Sequence, residues 1–355
     1  MAASKRLDKF LDANKRDHHE EVRKLLRSGK GHTIKEIAEA VQLSEALAKA
    51  VVTDLQHGNA NIKTSGERIS IAPHPEPASM EGHKLELETD THGWIYVGAV
   101  ADSHLGSKFE RLDCLEAMYD KFAAEGISTV LHAGNWIEGE DSHKAPSHEL
   151  LAHGVNGQLE YLAEKYPARP GIKTYAVTGD DHEGWFQQKL GIDIGAAAQH
   201  AMRDAGRHDW VNLGYQCAYI KMLHAQSKKW CTLQLEHPGG GSSYADSYVS
   251  QKLVEALDGG EKPAIILLGH YHKSIASNYR GVWVVQVPCT KDQDSFARKK
   301  RLRYVKGGCI LGMHLDKRTG AMDELIWRPT QFFNKGFYDD RWDLARPTKP
   351  RVEKY

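Results

Sequence analysis

The sequence predicts an α/β core of stacked β-sheets flanked by helices, preceded by a small, mostly helical N-terminal domain. Three observations predict it. From about residue 84, short β-rich apolar runs alternate with helical stretches; the polar residues that carry chemistry follow directly on those runs; and the first 75 or so residues show helical periodicity before turning to short alternating strands. A chain of 355 residues is long enough for one large core and a smaller second domain, and its apolar and charged fractions are those of an ordinary globular protein.

In the N-terminal part, Ile34, Ile37, Ala38 and Val41, then Leu43, Leu47, Val51 and Leu55, recur at helical spacing. The pattern is interrupted at Gln42-Leu43-Ser44, where Ser44 is a good N-cap for a second helix. His57-Gly58-Asn59 breaks that helix, and the stretch from Asn61 to Ile71 reads as two short strands around a Ser65-Gly66 turn. Together these resemble a winged helix-turn-helix domain over residues 1–75. Repeated prolines in Ala72-Pro73-His74-Pro75-Glu76-Pro77 fix φ and remove donors, so residues 76–88 read as a stiff linker.

The main domain is expected over residues 89–328. Its strand candidates are Trp94–Ala101, Thr129–Ala133, Lys173–Thr178, Thr232–Glu236, Ala264–Leu268 and Val282–Val287; Arg111–Ala124, Glu149–Lys165 and Ile192–Ala205 have helical periodicity. Residues 329–355 are aromatic and charged without clear period and read as a C-terminal extension.

Composition excludes several classes. Lys+Arg equals Asp+Glu, so no global field argues for nucleic acid or an anionic membrane, and such affinity must come from local patches. The five cysteines are odd in number, scattered and never in C-x-x-C spacing, which argues against a disulfide framework or thiolate zinc site and fits a reducing cytoplasm. The charged N-terminus and the lack of a long apolar run imply neither export nor a membrane span.

The chemistry is concentrated in five short motifs: Asp102-Ser103-His104; Gly134-Asn135-Trp136; Gly179-Asp180-Asp181-His182-Glu183; His237; and Gly269-His270-Tyr271-His272. Each follows a predicted strand, the place where α/β sheets hold their ligand sites. D-x-H or H-x-H at a strand end points two donors toward one centre, and imidazole with carboxylate is a ligand set for Zn, Mn or Fe. Glycine before a group is read as allowing a sharp turn and close approach of a substrate. A lone histidine among twenty is more often structural, but His237 ends a strand and precedes Pro238-Gly239-Gly240-Gly241-Ser242, a loop that lets backbone approach a phosphate. His132, His143, His148 and His153 lack such a frame, while Trp136 and Trp185 are open to base stacking or to packing.

The five motifs in this order resemble the calcineurin-like metallophosphoesterase family, with its β-sandwich flanked by helices, across roughly residues 94–290. The resemblance implies two divalent metal ions, Mn foremost with Fe, Zn or Ni also accommodated. It places Asp102, His104 and His272 at the first, Asp181, His237 and His270 at the second, and Asn135 at the bridging position. Two positions depart from the family pattern in opposite directions. The bridging Asp is Asn135 here and the Asn before the third-motif histidine is Asp181, which keeps the carboxylate count unchanged. A natural exchange of roles, with Asp181 supplying the charge, explains both departures; an engineered inactivating change at Asn135 explains only one. Two such metals polarise a phosphoryl group and lower the pKa of a shared water. The resemblance makes His182 the proton donor to the leaving oxygen, with Glu183 or Asp180 orienting it, so the expected catalytic residues are His182, Asp181 and Asn135.

The basic run Arg298, Lys299, Lys300, Arg301 and Arg303 follows the last predicted core strand and reads either as a phosphate clamp or as a solvated loop. Joined to a winged helix, it favours a cytoplasmic nuclease acting on DNA or RNA, similar to the DNA-repair exonuclease branch, with no membrane partner and homo-oligomerisation left open. The alternatives are a phosphatase or phosphodiesterase of nucleotides or cyclic nucleotides, and a catalytically impaired nucleic-acid-binding protein.

Overall fold

In the computed structural model, residues 18–19, 21–26, 30–57, 62–71, 85–140, 145–241, 243–257, 262–333 and 352–353 are described. The chain divides into a unit within Met1–Ser79 and a larger one holding Met80–Leu257 and Lys262–Tyr355.

In the smaller unit, Thr33 starts helix α1 (Ile34–Val41) with a capping box: its hydroxyl accepts from Glu36 N at 3.2 Å and the Glu36 carboxylate accepts from Thr33 N at 2.9 Å. Gln42 ends the helix in the left-handed region, and Ser44 Oγ accepts from Leu47 N at 3.3 Å to open α2 (Glu45–His57). The apolar spacing buries Ile37, Ala38, Ala48, Val51, Val52 and Leu55 against Val22 and Leu26 of the helical residues 21–26. Strands β1 (Ile62–Ser65) and β2 (Arg68–Ile71) pair antiparallel around Gly66 at φ +63°, and His32 exchanges two backbone hydrogen bonds with Ile69. Residues 58–61 and 72–84, where the helix break and most of the linker were expected, lie outside the described residues.

The larger unit is built on two mixed sheets. One has seven strands in the order β15 (Val352–Glu353), β14 (Met322–Phe332), β13 (Lys306–Leu315), β4 (Trp94–Val100), β5 (Thr129–Ala133), β6 (Lys173–Thr178) and β7 (Trp210–Tyr215), with β4 through β7 parallel. The other has six: β11 (Ile275–Tyr279), β12 (Val282–Gln286), β10 (Ile265–Leu268), β9 (Trp230–Glu236), β8 (Cys217–Leu223) and β3 (Glu86–Glu88). All four side chains of Ile265-Ile266-Leu267-Leu268 are buried, as a parallel strand covered on both faces requires. Val97, Ala99, Leu131 and Val177 of the first sheet pack with Ile220, Leu233, Leu235 and Leu267 of the second in one apolar layer.

Helices α3 (Leu112–Ala124), α4 (Gly154–Lys165) and α6 (Ile194–Asp204) cover the outer face of the seven-stranded sheet through Leu115, Met118, Phe122, Leu162, Ala198 and Met202. Helix α7 (Tyr248–Ala256) covers the six-stranded sheet through Val254. The short helices α5 (Gly184–Leu190) and α8 (Ser295–Lys300) follow site residues. Among the described residues no helix is long and apolar enough to cross a membrane, and the five cysteines are unpaired.

Three expectations need correction. Residues 86–88 are not linker: β3 pairs in parallel with β8, Leu87 opposite Met222. The core does not stop at residue 328, because β14 runs on to Phe332, with Pro329 opposite Cys309 and Thr330 opposite Gly308. The basic run does not follow the last core strand; Arg298, Lys299 and Lys300 form the last turn of α8, Arg301 caps it in the left-handed region, and β13 and β14 come after.

Candidate metal centre

The parallel strands β4, β5 and β6 of one sheet and β9 and β10 of the other all discharge their C-terminal ends at one place. Asp102 and His104 follow β4, Asn135 follows β5, Asp181 and His182 follow β6, His237 follows β9, and His270 and His272 follow β10. Cross-strand bonds lock these loops together: Asp102 N donates to Gly134 O at 2.9 Å, His104 N to Asn135 O at 2.9 Å, and Gly269 N to Glu236 O at 3.0 Å. Asp102, His104, Asn135, His182, His270 and His272 all have positive φ, between 48° and 77°. Such a backbone is costly for residues with a Cβ and persists where surrounding structure dictates it, most often at functional sites.

Among the described residues three clusters result, in each of which the donor atoms lie within 4.8 Å of one another: Asp102, His104 and His272 in the first, Asp180, Asp181, His237 and His270 in the second, and His104, Glu138 and His182 in a third that shares His104 with the first. In the first, His272 Nε2 is 3.2 Å from Asp102 Oδ1 and 3.4 Å from His104 Nε2. In the second, His237 Nε2 is 3.5 Å from Asp181 Oδ1 and His270 Nδ1 is 3.6 Å from Asp181 Oδ2. Asn135 stands between the first two, its Nδ2 donating to Asp102 Oδ1 at 3.3 Å and to Asp181 Oδ1 at 3.0 Å. The amide therefore joins these two clusters as a hydrogen-bond donor to both carboxylates.

The glycines make room for these side chains rather than for a substrate. A Cβ on Gly134 would lie 2.5 Å from the His237 ring, and one on Gly179 would lie 2.3 Å from Asn135 Oδ1.

The donor set fits a pair of divalent cations. His237 Nδ1 donates to Ala133 O at 2.6 Å, which leaves the buried Nε2 facing Asp181 and Asp102 without a hydrogen-bond partner. His270 Nδ1 is likewise buried and unpartnered, while its Nε2 donates to Gly240 O at 2.8 Å. Polar atoms this deep are normally satisfied, and ring nitrogens left facing carboxylates without a hydrogen-bond partner mark a cation site.

Residues 95–297 match the calcineurin-like phosphoesterase superfamily domain. The chain belongs to that superfamily. No curated protein matches it significantly. Solved structures similar to it include an archaeal phosphodiesterase (12% identity, 66% of this chain and 99% of the other, TM-score 0.33). Vps29 from Entamoeba histolytica complexed with zinc is another (12%, 74% and 98%, TM-score 0.33), as is a putative 5'-nucleotidase from Staphylococcus aureus (12%, 66% and 54%, TM-score 0.35). As a calcineurin-like phosphoesterase, the protein is a hydrolase of phosphoester bonds, and its His/Asp clusters could hold the divalent metals that the superfamily uses.

The electrostatics of this phosphoesterase site follow from burial and opposed charge. Burial would raise Asp102, but His272, His237 and His270 hold it below the usual carboxylate range. Burial acts on Asp181 in the same way and is overcome by His182, His237 and His270, which leave it well below that range. Burial, with Lys291, His182 and His272 nearby, holds His104 well below the ordinary imidazole value, so it is neutral and ready to ligate. His237 and His272 move the other way. Burial opposes their protonation, but Asp181 and Asp102 raise His237 to about 9, and Cys289 and Asp102 raise His272 to about 10.

His182 donates from Nδ1 to Glu138 O at 2.7 Å, and its ring stacks on Trp185 with centroids 4.9 Å apart. Neither Glu183 nor Asp180 orients it. Glu183 instead ties two loops together, accepting from Asn135 N and Gly179 N, each at 2.8 Å. Trp136 is core, packed edge-on to Trp210. His132 is buried against Ser103, and His148 and His153 lie away from the cluster near the surface. His143 lies outside the described residues.

Sequence reasoning missed Glu138, Lys291 and Asp294. Glu138 is three residues past Asn135, a spacing that carries it back under the same loop and was the one readable signal. Lys291 and Asp294 sit in Thr290-Lys291-Asp292-Gln293-Asp294, which has no pattern of its own.

Proposed function

We propose that this protein is a two-cation phosphodiesterase of nucleic acid, with DNA the expected polymer and Mn²⁺ the expected metal. The observation that carries the reading is the position of the basic turn. Arg298, Lys299, Lys300, Arg301 and Arg303 are all exposed, and the segment bearing them is pinned beside the centre at both ends. Asp294 caps α8 and pairs with Lys291 at 2.7 Å, while Tyr304 packs edge-on to His272 with ring centroids 4.0 Å apart. Five cations on such a turn suit the phosphates flanking a scissile bond. The N-terminal unit adds support: two capped helices followed by a hairpin keep the element order that the winged helix-turn-helix reading expects.

Within the centre, Asp102, His104 and His272 would hold one cation and Asp181, His237 and His270 the other. Bound there, the cations would polarise the phosphoryl oxygens and supply an activated water at neutral pH. The chain's own residues do the rest. Asn135 spaces Asp102 from Asp181, and Asp181 carries the negative charge that the amide lacks. His182, its ring oriented by the Nδ1 hydrogen bond to the Glu138 carbonyl, would protonate the leaving oxygen.

The test is hydrolysis of labelled single- and double-stranded DNA and RNA with Mn²⁺ or chelator, repeated for Arg298→Ala/Lys299→Ala/Lys300→Ala. Metal-dependent cleavage is expected, and the triple variant should bind the polymer with a salt dependence shallower by about one unit of slope per lost phosphate contact. An unchanged slope together with no polymer cleavage would reject the reading. A second reading, hydrolysis of small diesters with the N-terminal unit used for assembly, is favoured by the exposed side of α2. It carries Glu45, Lys49 and Asp54 rather than a basic face.

A further inference from the structure

We propose that Lys291 is a positioning residue: with Glu138 and Asp294 it forms a buried ion network that fixes His104, and through the Glu138 main chain His182, in the orientation the centre uses. Lys291 is 1% exposed and Glu138 2%. Lys291 Nζ donates to both Glu138 oxygens, at 2.7 and 2.8 Å, and lies 2.7 Å from Asp294 Oδ2. Removing an ammonium and two carboxylates from water is costly, and apolar side chains of similar volume often stabilise a core equally well or better. Stability alone therefore gives little reason for this arrangement.

What the network touches gives one. Glu138 Oε2 is 3.0 Å from His104 Nδ1, an ion-pair distance that falls short of hydrogen-bond geometry, and His104 Nε2 is turned toward His272 and Asp102, at 3.4 and 3.8 Å. The carbonyl of Glu138 accepts a hydrogen bond from His182 Nδ1 at 2.7 Å, and the backbone N of Glu138 donates to Leu105 O at 3.0 Å. Carboxylates in this position set the tautomer and ring angle of ligating histidines. Here the carboxylate is itself fixed by a lysine from the loop after β12. His237 and His270, by contrast, are oriented by the backbone oxygens of Ala133 and Gly240. Asp294 extends the network outward, since its Oδ1 accepts from Ala297 N at 2.7 Å and starts α8.

The inference rests on the two-cation reading, and the experiment separates the two. Full-length wild type, Lys291→Met, Lys291→Arg and the charge-balanced Glu138→Gln/Lys291→Met would be compared by calorimetric titration with Mn²⁺, by thermal denaturation, and by kcat and KM on a nitrophenyl diester. Wild type should take up two Mn²⁺. Lys291→Met should weaken one of the two sites by 10- to 100-fold and leave the other unchanged, lowering kcat more than it raises KM, and arginine should recover most of the loss. The double variant should regain thermal stability without regaining that affinity. Recovery of both in the double variant, or unaltered affinity in Lys291→Met, would overturn the proposal while leaving the centre intact; if Lys291→Met fails to fold, the double variant decides. Wild type that binds no Mn²⁺ overturns the two-cation reading and this proposal with it.

Discussion

The two halves of the centre offer similar side chains but hold them in different ways. Asp102, His104 and His272 are all buried, and His104 leans on the Glu138–Lys291–Asp294 ion network while His272 packs under Tyr304. In the other half Asp180 and His270 are partly exposed, and the imidazoles hang from main-chain oxygens at the end of β5 and in the loop after β9. One half is a deep, charge-braced pocket; the other opens toward solvent and so toward substrate. Were both halves loaded, one ligand chemistry would be divided between holding a cation and presenting one.

The largest test of that contrast is removal of the metals. Graded chelation should abolish hydrolysis completely, in two steps, the cation beside Asp181 leaving first and turnover going with it. A single step followed by elemental analysis would erase the distinction. Next in size is His182→Ala, at the junction of the halves. It should retain both cations yet lose about 10²- to 10⁴-fold in turnover on alkyl phosphoesters, with a much smaller loss on nitrophenyl esters. Equal losses on both substrates would remove His182 from proton transfer.

Smaller effects sharpen the comparison. If Asp181 has taken over the charge of the bridging residue, Asn135→Asp should leave turnover within about threefold of wild type, since a further carboxylate between Asp102 and Asp181 adds repulsion as well as a ligand. A large gain in metal-dependent rate would show that the amide is a defect. The smallest effect is on acidity. His237 and His272, raised to about 9 and about 10 without cations, each stabilise the cation-free fold below the ordinary imidazole value, and that stability is lost as pH rises through their folded values. Between pH 7 and 10 the chelated protein should therefore melt at falling temperature while Mn²⁺ affinity climbs, because binding must expel those protons. Calorimetry in two buffers of different ionisation enthalpy would count about two protons released at pH 7; none would contradict the assignment.

Much of the centre was legible in sequence because each ligand follows an apolar strand whose alternation or continuous burial is easily read. Thr129–Ala133 and Lys173–Thr178 appear with the anticipated bounds. Less legible were elements whose residues obey tertiary rather than local rules. Strand β13 contains Gly307, Gly308 and Gly312, with Gly307 Cα closing on Thr330 O and Gly312 facing Tyr96, so it lacks an alternating pattern. Helix α8 has six residues and exists because Asp294 caps it. Lys291 carries no local signal, since its meaning comes from a carboxylate 153 positions away.

Each cation would draw its ligands from both layers of the fold: Asp102 and His104 from the seven-stranded sheet with His272 from the six-stranded one, and Asp181 from the former with His237 and His270 from the latter. Loaded with metal, the centre would act as a pair of rivets through the seam, resisting any sliding of one layer over the other. The same ions that perform the chemistry would thereby set how far the molecule can shear.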